Sequence, residues 1–90
     1  MQKIEPFLNK EGQITQIPAK QSKKLLVYKY LAEKFDCDQE YSEKSVNQLI
    51  NSWHTFGDSI LLRRGLVETG FLCRLPDGSK YWKNMEKEQM

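Results

Sequence analysis

Residues 53–82, WHTFGDSILLRRGLVETGFLCRLPDGSKYW, contain the signals that decide the fold. After a turn-like start, Asp58 is a residue type that caps helix N-termini. The apolar spacing that follows predicts a helix reaching Thr69. Gly70 is placed to end that helix, because glycine adopts the left-handed conformation at no steric cost. This part of the stretch therefore predicts a helix with a defined start and stop.

The rest of the stretch predicts a β-hairpin. Asp77-Gly78 lies between two β-prone segments, which is a strong short-range hairpin signal. With this dipeptide at the tip, the facing pairs are Leu75 with Lys80, Arg74 with Tyr81, and Cys73 with Trp82. A β-bulge would change which of these side chains point inward, so the sequence leaves the inward face open.

Two further helices are predicted upstream. Residues 19–35 carry apolar side chains at the three-and-four spacing of one helix face. Ser42 is a favourable N-cap for a second, shorter helix, and Tyr41 before it suits the start of a short strand. Trp53 closes the apolar pattern of that second helix. The residues predicted to form the core are Leu31, Phe35, Leu49, Trp53, Leu62, Leu66 and Leu72.

The order of these elements defines the predicted architecture. Three helices followed by a hairpin is the order of a winged helix-turn-helix, an α+β fold that is mainly α. The 90 residues suffice for one domain. We predict an N-terminal extension over residues 1–18, an arm or a short strand, then the winged-helix domain over 19–83. Residues 84–90 are charged and show no hydrophobic periodicity, and they are predicted to fray.

Composition and charge narrow the function classes only partly. The net charge is +2, from 14 basic and 12 acidic residues, a smaller excess than a dedicated nucleic-acid binder usually has. Cys37 and Cys73 are the only cysteines and form no CxxC motif, which favours reduced thiols in a cytoplasmic protein. No apolar run is long enough for a signal peptide or a membrane span.

The chain also resembles a known bacterial family, the domain of unknown function numbered 2087. The residues that carry the resemblance are Phe7-Leu8, Gly12, Pro18-Ala19-Lys20, Tyr30-Leu31-Ala32, Val46-Asn47, Leu62-Arg63-Arg64, Leu66-Val67, Gly70-Phe71-Leu72, Pro76-Asp77-Gly78-Ser79 and Tyr81-Trp82. Members occur alone or fused behind repressor-like DNA-binding domains, which implies a link to transcription, although no activity is established. Ser45 and Gly65 depart from the family pattern, which often has an acid at both positions.

The third helix carries the candidate DNA contacts. Ile60, Arg64 and Val67 fall on the face opposite the predicted core, with Arg63 at its edge. Arginine suits a recognition helix because its planar fork binds phosphates and guanine edges bidentately. The alternative, without a functional role, is that Arg63 pairs with a surface acid and Arg64 is solvated. The full set of predicted duplex-DNA contacts is Arg63, Arg64, Arg74, Lys80, Lys20, Lys23 and Lys24.

Apolar residues on the same helix predict a second kind of function. Ile60, Leu61 and Val67 would be unusual beside a DNA groove, and clustered exposed apolar residues more often mark a protein partner. The alternative is therefore a module that binds another protein or a second copy of itself. An RNA-binding winged helix is a third hypothesis, which the sequence does not separate from the first.

Catalytic and metal-binding chemistry finds little support. His54 is the only histidine, and no His/Cys spacing supplies several converging metal ligands. Gly-rich phosphate loops, nucleophile elbows and HExxH motifs are all missing from the sequence. We therefore predict no enzymatic activity, no cofactor and no metal.

Overall fold

The structure is a computed structural model that describes residues 4–84. Its helices are α1 (Gln21–Ala32), α2 (Glu43–Asn51) and α3 (Ser59–Glu68), and its strands are β1 (Glu40–Tyr41), β2 (Leu72–Arg74) and β3 (Tyr81–Lys83). One 3-10 turn, Glu5–Phe7, precedes them. The strands form a single antiparallel sheet in the order β1-β3-β2. The predicted α+β class, with three α-helices followed by a hairpin, is confirmed.

Side-chain caps begin α2 and α3 at the predicted residues. The Ser45 N–H donates to Ser42 Oγ at 3.1 Å, and Ser42 Oγ contacts Ser45 Oγ at 3.0 Å. At α3 the Leu61 N–H donates to Asp58 Oδ1 at 3.1 Å. Each cap satisfies a backbone donor that has no partner within its helix. Ser45 thus serves the cap although it lacks the carboxylate of a capping box.

Gly70 ends α3 as the sequence predicts. Its φ is +86°, the left-handed region that glycine adopts without strain. The Phe71 N–H donates to the Leu66 carbonyl at 2.9 Å and the Gly70 N–H donates to the Val67 carbonyl at 3.1 Å. This pair of bonds is the Schellman arrangement, and it directs the chain from α3 straight into the hairpin.

The hairpin register is confirmed, and the sheet has a third strand. Arg74 faces Tyr81 and Cys73 faces Trp82. The Leu75 N–H donates to the Lys80 carbonyl at 3.0 Å. On the other side of β3, the short strand β1 pairs Tyr41 with Tyr81. β3 is therefore the central strand, and α1 and α2 are tied to the hairpin through β1.

Part of the N-terminal segment belongs to the core. Ile14 is fully buried, and its N–H donates to the Trp53 carbonyl at 2.8 Å. The Thr55 N–H returns a bond to the Ile14 carbonyl at 3.0 Å. The predicted C-terminal tail lies outside the described residues except for Asn84, whose side-chain amide donates to the Gly70 carbonyl at 2.7 Å.

Two residues predicted to be buried are only half-buried. Trp53 lies beyond the end of α2, in the following turn, because the helix ends at Asn51. Its ring packs edge-on against Tyr30 at 6.4 Å, and Lys34 Nζ lies 4.1 Å from its centre. Leu49 is turned about 100° from the buried Ile50 around α2. The other predicted core residues are buried: Leu31, Phe35, Leu62, Leu66 and Leu72.

A close contact between α1 and α3 explains the glycine in the middle of α3. The Tyr28 ring lies over Gly65, where a Cβ would overlap its Cζ and Oη atoms. Tyr28 is buried. A mid-helix glycine costs about 1 kcal/mol relative to alanine, and here it provides the space for the ring.

Gly65→Ala is therefore expected to lower the free energy of unfolding by up to ~2 kcal/mol. Overpacking costs about 1–3 kcal/mol, of which the better helix propensity returns about 1 kcal/mol. Urea denaturation measures the difference. In a Tyr28→Leu background the same change should become neutral or stabilising, because the smaller side chain leaves room. A stabilising Gly65→Ala in the wild-type background would contradict the packing described here.

Candidate nucleic-acid interface

A groove of about 450 Å³ lies between α3 and the hairpin. Both of its walls carry arginines, with Arg63 and Arg64 on α3 and Arg74 on β2. Other residues along the groove are Glu43, Val67, Glu68, Asp77, Gly78 and Tyr81. Long donors from a helix and from the hairpin therefore line the same groove.

Arg63 is held by α2. Its Nη1 donates to Asn47 Oδ1 at 2.7 Å, and its Nη2 lies 3.1 Å from Glu43 Oε1. The Arg63 side chain is only 14% exposed, whereas that of Glu43 is 52% exposed. The guanidinium therefore links the two helices and has little freedom to reach a ligand.

Arg64 differs from its neighbour in every one of these respects. It is exposed, and among residues 4–84 its side chain makes no ion pair or hydrogen bond within the protein. It borders the groove beside the hairpin and also a second groove, of about 620 Å³, between α1 and α3. Its fork is therefore available to an external anion.

The hairpin contributes one arginine and one lysine, both exposed. Arg74 Nη1 donates to the carbonyls of Leu75 and Pro76 at 3.3 Å each, which are long bonds. Lys80 Nζ lies 3.4 Å from Glu40 Oε1, a pair in which both side chains are more than half exposed. An exposed pair of this kind contributes little stability, so it holds Lys80 only weakly.

Of the three lysines near the start of α1, only Lys24 lines a groove with one of the arginines. Lys20 is exposed and precedes the helix, while Lys23 and Lys24 are half-buried. Lys24 borders the groove between α1 and α3 together with Arg64. Lys20 and Lys23 line neither of the two grooves.

Acidic residues oppose the arginines within the groove. Glu43 is paired with Arg63, as above. The Ser79 backbone N–H donates to Asp77 Oδ1 at 2.9 Å, and this hydrogen bond lowers the pKa of the Asp77 carboxyl. Glu68 is exposed and borders both grooves. Burial raises the pKa of the Tyr28 phenol, and the negative charge of Glu68 raises it further by a smaller amount. Glu68 is therefore the acidic residue that shares both grooves with Arg64.

The only histidine is a structural residue. The Asp58 N–H donates to His54 Nε2 at 2.9 Å, so the ring proton is on Nδ1, which donates to the Ile50 carbonyl at 2.7 Å. His54 thus joins the end of α2 to the start of α3 and is buried. Within residues 4–84, no group of three or more His, Cys, Asp and Glu residues is arranged to hold a metal ion.

Two large apolar side chains at the start of α3 remain in solvent. Ile60 is 56% exposed and Leu61 is 46% exposed. Val67, in contrast, is half-buried and packs against the core. Of the three residues predicted for a protein interface, Ile60 and Leu61 therefore present most of the apolar surface.

Sequence comparison assigns the chain to a family. Residues 13–83 match the family described as an uncharacterized protein conserved in bacteria (DUF2087). Because this match covers more than half of the chain, the protein belongs to that family. The searches of curated proteins and of solved structures returned no match. No helix within residues 4–84 has the length and apolar character needed to span a membrane.

Proposed function

We propose that the protein is a cytoplasmic winged-helix domain that binds duplex DNA in transcriptional regulation, with α3 as recognition helix and the β2–β3 hairpin as wing. The observation that supports this most directly is the groove with Arg64 on one wall and Arg74 on the other. In helix-turn-helix proteins the second helix of the motif enters the major groove, and its flanking elements contact the backbone. Here α2 and α3 would form that motif.

The arginines have different tasks in this proposal. Arg64 contacts a phosphate or a guanine edge, because its fork is exposed and unused within residues 4–84. Arg74 and Lys80 reach the backbone from the hairpin. Arg63 acts on DNA only indirectly, by fixing α3 against α2 through Asn47 and Glu43. Lys20, Lys23 and Lys24 belong at most to the periphery of the footprint.

Salt-titrated fluorescence anisotropy on a mixed-sequence duplex tests the proposal. Affinity should fall with salt along a log–log slope of about −0.9 for each phosphate neutralised. Arg64→Ala should weaken binding and, if the contact is to phosphate, flatten the slope by about one unit. Lys29→Ala removes one exposed positive charge from α1, outside the groove, and serves as the matched control. Equal losses for the two variants would refute a contact specific to Arg64.

Glu68→Gln gives a test of opposite sign in the same assay. Removing a carboxylate near a phosphate relieves roughly 1 kcal/mol of repulsion at contact distance in water, so affinity should rise by up to about fivefold. Glu33→Gln, which removes an exposed acid outside the groove, should change affinity much less.

The exposure of Ile60 and Leu61 favours a second function, a module for self-association or for binding another protein. On that hypothesis a polar substitution of Ile60 or Leu61 would disrupt a dimer, and Arg64→Ala would have little effect. Sedimentation of the free protein distinguishes the two. A dimer that dissociates on Ile60 substitution, together with no duplex binding at low salt, would establish this second function in place of the first.

A further inference from the structure

Two exposed side chains of α3, Ile60 and Arg64, share one ridge. Ile60 and Arg64 are four residues apart, which places them one above the other on the same face of the helix. This face is opposite the fully buried Leu62 and Leu66. The ridge therefore presents a branched apolar group next to a guanidinium, with Ile60 at the N-terminal end of the helix.

This combination fits the chemistry of a DNA major groove. There thymine displays its C5-methyl group, which apolar side chains contact, and guanine displays two acceptors that arginine binds bidentately. The N-terminal residues of a recognition helix are those that contact base edges. Ile60 is the second residue of α3, so its exposed surface lies where base edges are read.

Leu61 and Val67 differ from Ile60 in their position on α3 or in their exposure. Leu61 is turned about 100° around the helix from Ile60, although both residues border the groove between α1 and α3. Val67 is half-buried against the core and lies about two turns further along α3. Among these three residues, Ile60 is the most exposed, at 56%, and it lies four residues before Arg64 on the same ridge.

We propose that Ile60 reads thymine C5-methyl groups in the major groove, beside the phosphate or base that Arg64 contacts. This inference rests on the proposed DNA-binding function and adds to it a sequence preference and the residue that determines it. An apolar side chain on the recognition face then serves specificity, while the arginines supply the general attraction to the duplex.

Replacing thymine with deoxyuridine isolates the methyl group, because the two bases otherwise pair identically. A random-sequence duplex pool is prepared twice, once with thymine and once with deoxyuridine at every such position. Anisotropy competition at one salt concentration compares the two pools. The wild-type protein should bind the thymine pool about threefold to fourfold more tightly for each methyl group that Ile60 covers.

Two alanine variants assign the effect to its residue. Ile60→Ala should bind both pools equally, whereas Leu61→Ala, a matched loss of exposed apolar atoms, should keep the preference for thymine. Thermal melts confirm that both variants remain folded. Any effect of deoxyuridine on the duplex itself is the same for the wild type and both variants, and it cancels when the three proteins are compared.

The possible outcomes separate this inference from the function on which it rests. Salt-dependent binding by the wild type with no preference between the pools would overturn the role of Ile60 and leave DNA binding intact. A preference that Ile60→Ala retains, or that Leu61→Ala loses, would also overturn it. Failure of the wild type to bind either pool at low salt would overturn both proposals together.

Discussion

Replacement of Leu62 or Leu66 by alanine is expected to lower the free energy of unfolding by ~2–5 kcal/mol each. Both side chains are fully buried on the core face of α3. The substitution removes apolar contacts and leaves a cavity that the surrounding helices fill only in part. Because domains of this size are stable by about 5–15 kcal/mol, one such change removes a large share of the total. Urea denaturation with a common m-value measures it.

Leu61→Ala is the matched control, since it removes the same atoms from the adjacent position of the same helix. With 46% of Leu61 exposed, its loss should cost much less than that of either buried leucine. If all three leucines gave equal and small effects, the orientation of α3 described above would be wrong.

Local signals in the sequence were sufficient for most of the fold. The caps at Ser42 and Asp58, the stop at Gly70 and the tip at Asp77-Gly78 were all predicted, because each depends on residues within a few positions of one another. The hairpin register followed from the position of its tip. These are interactions that the sequence encodes at short range.

Long-range pairing was the least predictable part of the fold. Ile14 is buried because its backbone bonds to Trp53 and Thr55, about forty residues later in the chain, and no local pattern indicates that partnership. A short strand at Tyr41 was predicted, and β1 includes that residue, but the sequence did not indicate that the strand pairs with β3. Nothing in the sequence indicated that the ring of Tyr28 would rest on Gly65.

The candidate site shows the same division. Helix periodicity correctly placed Arg64 outside and Leu62 inside. The alternative in which Arg63 pairs with a surface acid and Arg64 is solvated is confirmed, with Glu43 as that acid. The periodicity of α3 did not identify Glu43 or Asn47, because both lie on another helix. The partners of Arg63 share one face of α2, because Glu43 and Asn47 are four residues apart. This spacing identifies them as partners only when α2 is known to pack against α3.

Arg63→Ala is expected to destabilise the fold by about 2–3 kcal/mol, whereas Arg64→Ala should change stability by less than about 0.5 kcal/mol. A hydrogen bond from a charged donor contributes about 1.5–3 kcal/mol, and Arg63 makes one to Asn47 at 2.7 Å. Its ion pair with Glu43 adds at most about 1 kcal/mol, since that carboxylate is half exposed. Urea denaturation of the two variants provides the comparison.

The two substitutions should therefore have different effects on duplex affinity and on stability. Arg64→Ala reduces duplex affinity while the protein stays as stable as the wild type, and Arg63→Ala reduces stability first. Glu43→Gln with Asn47→Ala should reproduce much of the stability loss of Arg63→Ala, because all three changes break the same link between α2 and α3. Equal stability of the Arg63 and Arg64 variants would disprove that link. The adjacent arginines would then both be surface residues, and the difference in their contacts would have no energetic meaning.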